Sequence, residues 1–288
     1  MTDLAADYRL LRSTAGAVRL ARDVVRVSGP DALDFLQGQC SQDLASLAAG
    51  RSAWSWVLQP QGKVDALVRV TRVGDEVMWL DTDGGYGEKL RARLARFKLR
   101  VKAEIEGVDW QCVAVRGPEA KRVSDGLDAD WPGLPGVDLL GPSPSPPRGV
   151  PLVSLDAYQA VRIEAGVPAM GAELTDRTIP AETGIVDRTV SFTKGCYTGQ
   201  ELVARIESRG GHVPRHLRGI VLGDAAPVGA AIEADGKKIG SLTSVGLRPG
   251  GAVGLAYIGR DVTPPVMATA CWDGGTTSAR VEVLPLGP

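Results

Sequence analysis

The sequence predicts an α+β protein closed by a small antiparallel β-barrel or sandwich, and three observations predict it. Strand-like alternation and helix-like periodicity interchange irregularly over residues 22–123, without a regular βαβ repeat. From Gly126 to Pro151 proline and glycine dominate and periodicity disappears, which reads as a long surface connection. After Arg215 short apolar segments follow one another between Gly-rich turns, the spacing of a small all-β unit.

The elements follow in order. Arg22–Ser28 alternates apolar and polar positions as a strand, Gly29-Pro30 breaks it, and Asp31–Leu44 has helical spacing with Leu33, Leu36 and Leu44 inward. Ser52–Leu58 and Lys63–Val73 are strands joined by the turn Pro60-Gln61-Gly62, and Glu76–Asp81 is a third. Tyr86–Phe97 is an amphipathic helix carrying Leu90, Leu94 and Phe97. Strands near Val101–Ile105 and Trp110–Val115 and a short helix over Pro118–Val123 complete this region. Helices are expected over Ser154–Ala165 and Thr198–Ser208. Terminal strands are expected at Leu217–Leu222, Ala230–Ala234, Lys238–Val245, Ala252–Ile258, Val266–Ala270 and Ala279–Val283.

Composition excludes several classes of function. The 288 residues suffice for two or three packed units. With 33 basic against 34 acidic residues, the basic excess of a dedicated nucleic-acid binder is missing. No apolar run reaches a membrane span, and Asp3, Asp7 and Arg9 interrupt the N-terminus as no signal peptide would, so a cytoplasmic protein without membrane partners is expected. Cys40, Cys112, Cys196 and Cys271 form no C-x-x-C pair, so no metal site is expected.

Weaker signals reduce to ordinary structure. Gly84-Gly85-Tyr86-Gly87 lacks the third glycine of a dinucleotide fingerprint, since Leu90 stands there, and reads as a tight turn. His212 and His216 have metal-ligand spacing, but Pro214 lies between them, so both read as surface histidines. The basic run Lys89, Arg91, Arg93, Arg96, Lys98, Arg100 and Lys102 reads as the solvated face of a helix, with RNA contact as the functional alternative.

The informative stretch is Lys194-Gly195-Cys196-Tyr197-Thr198-Gly199-Gln200-Glu201. Thr198 and Glu201 have the spacing of a capping box, which predicts a helix start. Free N–H groups at that start, with Lys194, would form a positive corner that holds an anion and favours a thiolate at Cys196. A buried structural thiol is the equal alternative. Glu164, in Arg162-Ile163-Glu164-Ala165-Gly166, falls on a helix side shared with Ala157 and Ala160, where small residues leave room beside the carboxylate for a flat ligand.

The octapeptide resembles the signature of the YgfZ family, folate-binding relatives of the glycine-cleavage T-protein. The resemblance extends through R-I-E-A-G-V-P at Arg162–Pro168, P-A-E-T-G at Pro180–Gly184, E-L-V-A-R at Glu201–Arg205 and, more weakly, Val27–Gln39. It implies a three-domain cloverleaf around a channel for tetrahydrofolate. The implied units are a discontinuous first domain (1–50 with 150–214), a second over 51–149 and a barrel over 215–288. It also implies that Glu164 reads the pterin, that Lys194 helps hold an anionic group such as the folate tail, that Tyr197 stacks on a flat ring, and that Cys196 is the reactive thiol. In the related aminomethyltransferases a second aspartate is needed for catalysis, and here Gly62-Lys63-Val64-Asp65-Ala66 puts Ala66 in that place. A methyl group cannot serve as an acid, a base or an electrostatic partner. The expectation is therefore a tetrahydrofolate-binding protein supporting assembly or repair of iron–sulfur enzymes, including tRNA-modifying ones, with iron–sulfur proteins or their assembly machinery as partners. The alternatives are a folate-dependent aminomethyl or one-carbon transferase and a tRNA-binding accessory module.

Overall fold

A computed structural model describes residues 3–287. Helix α1 (Leu4–Ser13) begins on its Asp3 cap and leads into β1 (Gly16–Leu20) and β2 (Arg22–Ser28). There follow α2 (Ala32–Gln39), β3 (Ser52–Leu58), β4 (Val64–Arg72), β5 (Val77–Asp83), α3 (Gly87–Phe97), β6 (Glu104–Val108), β7 (Gln111–Arg116) and α4 (Ala120–Val123). Then come β8 (Leu127–Asp128), β9 (Gly136–Gly141), α5 (Leu155–Glu164), α6 (Val186–Thr189) and α7 (Gln200–Ser208). The chain ends in β10 (Arg215–Leu222), β11 (Ala231–Ala234), β12 (Lys237–Arg248), β13 (Gly251–Gly259), β14 (Val266–Trp272) and β15 (Gly275–Glu282).

These strands form three antiparallel systems. One sheet has the order β3-β4-β5-β2-β6, the second β1-β7-β9-β8, and β10-β13-β12-β11-β14-β15 close into a barrel. The five-stranded sheet packs α2 and α3 over a core that includes Phe35, Leu36, Trp56, Val68, Leu80, Leu90 and Leu94. The four-stranded sheet is covered by α1 and α5 through Leu11, Ala114, Ala157 and Val161. The barrel has its own interior, built from residues such as Ile220, Ile232, Leu242, Ile258 and Val281. It docks on α5, where Gly246 is required because a Cβ there would sit 2.8 Å from the Ala160 Cα. The room expected beside Ala157 and Ala160 is therefore filled, by α1 on one flank and the barrel on the other.

The sheets divide the chain differently from the expected boundaries. Strand β2, within the first fifty residues, pairs with β5 and β6 of the following segment. Strand β1 instead pairs with β7 and, through Ala17, with residues 151–153. The expected surface connection over 126–151 is also corrected, because it contains β8 and β9, and β9 lies between β7 and β8. Asp138 in its middle made the segment look like a loop, since aspartate is depleted in strands. It is tolerated there because two arginines bind it. The helix expected over Asp31–Leu44 ends at Gln39, where Cys40 becomes extended and bridges to Val57. Gln37 Oε1 then accepts from the Leu44 backbone N–H and fixes the turn that follows.

Candidate functional site

A cavity of about 700 Å³, counting its open mouth, lies where the two sheets meet α5. The five-stranded sheet contributes Arg22, Trp54, Leu67 and Asp83, and the other sheet contributes Leu20, Arg116 and Asp138. Tyr158 and Arg162 of α5 close a third side with the segment 167–169, and Ala129, Trp131, Ile185, Arg188 and Thr189 complete the lining. Sequence reading missed most of this site; of its lining, only Arg162, Val167 and Pro168 stand in a quoted motif. The available signal was charge in strand interiors: Arg69 in A-L-V-R-V-T, Asp81 in W-L-D-T and Asp138 in G-V-D-L-L. Such residues are buried only when paired.

The pairing is complete. Arg69 binds Asp81 at 2.9 Å and Asp138 at 2.8 Å, Arg116 binds the other oxygen of Asp138 at 2.8 Å, and Arg22 bridges Asp81 and Asp83. Burial alone would raise the Asp138 pKa, but Arg116, Arg69 and Arg22 outweigh it and hold the carboxyl well below the usual range. The same guanidinium groups order the aromatic walls. Arg22 and Arg69 lie 5.5 and 5.4 Å from the Trp54 ring centre, and Arg116 lies 4.4 Å from Trp131. Trp131 in turn leans on Tyr158, with 5.3 Å between ring centres. The Trp54 indole N–H donates to the Ala129 carbonyl at 3.1 Å, which joins β3 to the segment before Trp131. Arg162 is held by Glu173, by the Val167 carbonyl and by Ser244 of the barrel. With every lining arginine matched by an acid, and Arg188 on Asp130 at the rim, the cavity presents flat apolar walls without a net charge of one sign.

The expected site residues lie elsewhere. Glu164 does not line this cavity; its side chain is 1% exposed and faces α1 and the barrel. Its Oε1 accepts from Tyr8 at 2.7 Å and from Arg248 at 2.8 Å, and Arg12 stands 3.8 Å from Oε2. The reason is helical geometry: two residues on from Arg162, the side chain points to the opposite side of α5. Oε2 has no hydrogen-bond partner, and Arg12 with Arg248 on the other oxygen offsets the burial of the carboxylate.

None of the octapeptide residues lines the cavity either. Lys194, expected to hold an anion, donates to the carbonyls of Gln37, Cys40 and Gln42 at 2.6, 2.7 and 3.0 Å. It thereby satisfies carbonyls around the end of α2, and burial lowers its pKa. Tyr197 packs against the five-stranded sheet's core beside Lys194, and burial raises its phenol to about 12. It is not free to stack on a ring in the cavity. The capping box is not formed: α7 starts from Gly199, which is left-handed at φ +83°, with no side-chain cap. The Thr198 backbone N–H donates instead to the Gly38 carbonyl, and Gln200 Oε1 accepts from the Tyr197 N–H. Gly199 and Gly62 are both required by close approach, because a Cβ on Gly199 would lie 2.5 Å from the Gln59 carbonyl and one on Gly62 2.5 Å from Leu202 Cβ. The octapeptide thus clamps α7 to α2 and the β3–β4 turn. Gly195 and Cys196 are exposed on that clamp, and Glu201 points to solvent.

Ala66 is buried in the core, and Leu67 is the residue of that pair that reaches the cavity. Asp65 is bound to Arg93 at 2.9 Å. Among the described residues no cluster of ligating side chains could hold a metal, and no helix is long and apolar enough to cross a membrane.

Residues 4–132 match the family model of the GCVT N-terminal domain. The "tRNA-modifying protein YgfZ" of Edwardsiella ictaluri is 30% identical over 218 residues, covering 65% of this chain and 65% of that protein. The "Iron-sulfur cluster assembly factor IBA57 homolog, mitochondrial" of Neurospora crassa is 28% identical over 225 residues, covering 68% of this chain and 51% of that protein. The chain thus spans about half to two thirds of the length of these two relatives. The crystal structure of the glycine cleavage system aminomethyltransferase T from Bartonella henselae superimposes with a TM-score of 0.83 over 98% of this chain and 89% of that one, at 20% identity, which establishes the shared fold. Together the domain match over residues 4–132, the relatives and the superposition show that this chain is similar to proteins of the YgfZ/GcvT-like family and shares the aminomethyltransferase fold.

Proposed function

We propose that this protein binds tetrahydrofolate or a derivative in the central cavity and supports the assembly or repair of iron–sulfur enzymes, tRNA-modifying ones among them. One observation carries the ligand half: the cavity walls are Trp54, Trp131 and Tyr158, held by buried arginines, at the junction of both sheets with α5. Such walls suit a flat bicyclic ring. The balanced charge suits the ring rather than a polyanionic tail, so the tail extends toward the mouth near Arg188. The iron–sulfur half is supported by the name of the Neurospora crassa relative, and the link to tRNA modification by that of the Edwardsiella ictaluri relative. Cys196 is the exposed thiol available for it.

Calorimetric titration of the full chain with tetrahydrofolate tests the ligand half. Saturable binding is expected, weakened about tenfold by Trp54→Leu through the loss of aromatic contact. Absence of binding to the unaltered protein overturns the reading. For the second half, cells lacking the native protein should recover iron–sulfur enzyme activity when supplied with this chain, and lose that recovery with Cys196→Ser.

Aminomethyl transfer is the competing reading, and the cavity side of β4 argues against it. Leu67 stands there, and Ala66 beside it has no acid to offer. Turnover of an aminomethyl-lipoyl carrier at rates typical of a T-protein would reverse this conclusion. A tRNA-binding role would rest on the exposed Lys89, Arg96, Arg100 and Lys102, and a binding constant that falls steeply with salt would reveal it.

A further inference from the structure

Two tryptophans wall the cavity, and they are held in different ways. The Trp54 indole N–H is bonded to the Ala129 carbonyl, whereas the Trp131 indole N–H donates to no protein group among the described residues. Trp131 is placed by contact alone, with Arg116 4.4 Å from its ring centre and the Tyr158 ring at 5.3 Å. It lies in the segment between β8 and β9, whose two ends are pinned. Ala129 and Leu134 are buried, and the Ala129 N–H donates to the Gly136 carbonyl. Between these pins the tip, residues 130–133, is tied to α6 by an ion pair. Asp130 Oδ2 accepts from Arg188, at 3.1 Å from Nε and 2.9 Å from Nη2. The Asp130 side chain is 58% exposed and its backbone is left-handed at φ +52°, while Gly133, beyond Trp131, is left-handed at φ +69°. An ion pair this hydrated is weak, and a non-glycine residue at positive φ gains by relaxing. The tip can therefore lift without disturbing either pin.

We propose that residues 130–133 are a flap at the cavity mouth, latched to α6 by the Asp130–Arg188 pair, and that release of this latch sets how fast ligand enters and leaves. The proposal rests on the ring-binding reading above and adds control of exchange to it. Opening carries Trp131 away from Arg116 and Tyr158, which removes one wall and widens the entrance. Closing returns the indole to its place against a bound ring. Ile185, Arg188 and Thr189 line the cavity beside Trp131, so the latch joins two of its walls. Asp130 itself does not line the cavity, so its charge acts on the flap rather than on the ring. A latch that must break for entry and again for exit speeds both steps by the same factor when it is weakened, and leaves their ratio unchanged.

The test follows tetrahydrofolate binding to the full chain by stopped-flow tryptophan fluorescence, with Asp130→Asn and Asp130→Gly beside the unaltered protein. Asparagine and glycine both accept a left-handed backbone, so these variants keep the turn and lose the charge, and either suffices if the other misfolds. The association and dissociation rate constants are expected to rise together by about two- to fivefold, the span of an exposed ion pair, with Kd nearly unchanged. If Asp130 only screens Arg188 from the anionic tail, freeing Arg188 speeds association and slows dissociation, and that pattern overturns the flap. Unchanged rates in the folded variants overturn it as well, while the cavity reading stands. If the unaltered protein binds no tetrahydrofolate, the cavity reading fails and the proposal with it.

Discussion

Glu164 lies on the side of α5 away from the cavity. Its small neighbours on α5 were legible, but its burial and the way that side of the helix faces were not, because the sequence does not show that the barrel returns to cover it. Its carboxylate joins α1 to β12 through Tyr8, Arg12 and Arg248. Glu164→Gln should therefore lower stability by roughly 1–3 kcal/mol, since two arginines lose their counter-charge while remaining partly hydrated. Affinity for a cavity ligand should change little. Denaturant titration beside calorimetry separates the two effects, and a large affinity loss at unchanged stability would return Glu164 to the ligand site. The thiols sort as simply. Burial pushes Cys40 to about 11 and Cys112 to about 12, whereas Cys196 is exposed. Mass-spectrometric mapping near neutral pH should find Cys196 alkylated before either. Lys194 points into carbonyls rather than toward that thiol, so Lys194→Met should leave the Cys196 rate nearly unchanged.

At the scale of elements, periodicity located nearly every strand and helix between residues 22 and 123, because their apolar residues recur at strand or helix spacing. Strand β2 begins at Arg22 and ends at Ser28, as the alternation requires, and β3 spans Ser52–Leu58 in the same way. The failures have a shared cause. Strand β9 and the capping arrangement of α7 depend on partners distant in sequence: Arg69 and Arg116 for Asp138, and Gly38, Gln59 and Gly62 for the octapeptide. The T-x-x-E pattern was real, but Gly199 takes the cap position and Thr198 turns to α2. Two substitutions check the clamp. Lys194→Met leaves three carbonyls short of a donor and should cost about 1–3 kcal/mol. Gly199→Ala meets both a positive φ and a carbonyl, and should cost at least as much. Thermal melts of both variants give the answer, and unchanged melting would mean the clamp contributes nothing to the fold.

For the whole molecule, the ionic network at the cavity sets the response to acid. The folded Asp138 pKa is depressed, so its stabilisation is fully present above the unfolded carboxylate value near pH ~4 and is lost as pH falls toward the folded value. Asp138→Asn should cost about 3–5 kcal/mol at pH 7, because Arg69 and Arg116 are left uncompensated. The deficit relative to the unaltered protein should shrink progressively below pH ~4 as the wild-type carboxylate loses its advantage. Urea titrations at pH 7 and pH 3 measure it, and a deficit independent of pH would show that packing rather than charge is at stake. The cavity itself was the least legible feature at this scale. Its walls come from β1, β2, β3, β4, β5, β7, β9, α5 and α6 and from loop residues beside them, and local patterns do not reveal which strands converge.

The pairing of β1 also has a consequence for how the chain is made. Gly16 lies opposite Arg116, and Ala17 bonds to residues 151 and 153. The five-stranded sheet, by contrast, has all its strands once residue 108 has emerged. During synthesis the first sheet can therefore close while α1 and β1 still wait for partners about a hundred residues downstream, with the apolar side chains of Leu11 and Val18 uncovered. The segment carrying α1 and β1 thus emerges well before the partners that secure it, which makes it a stretch of the nascent chain for a chaperone to protect.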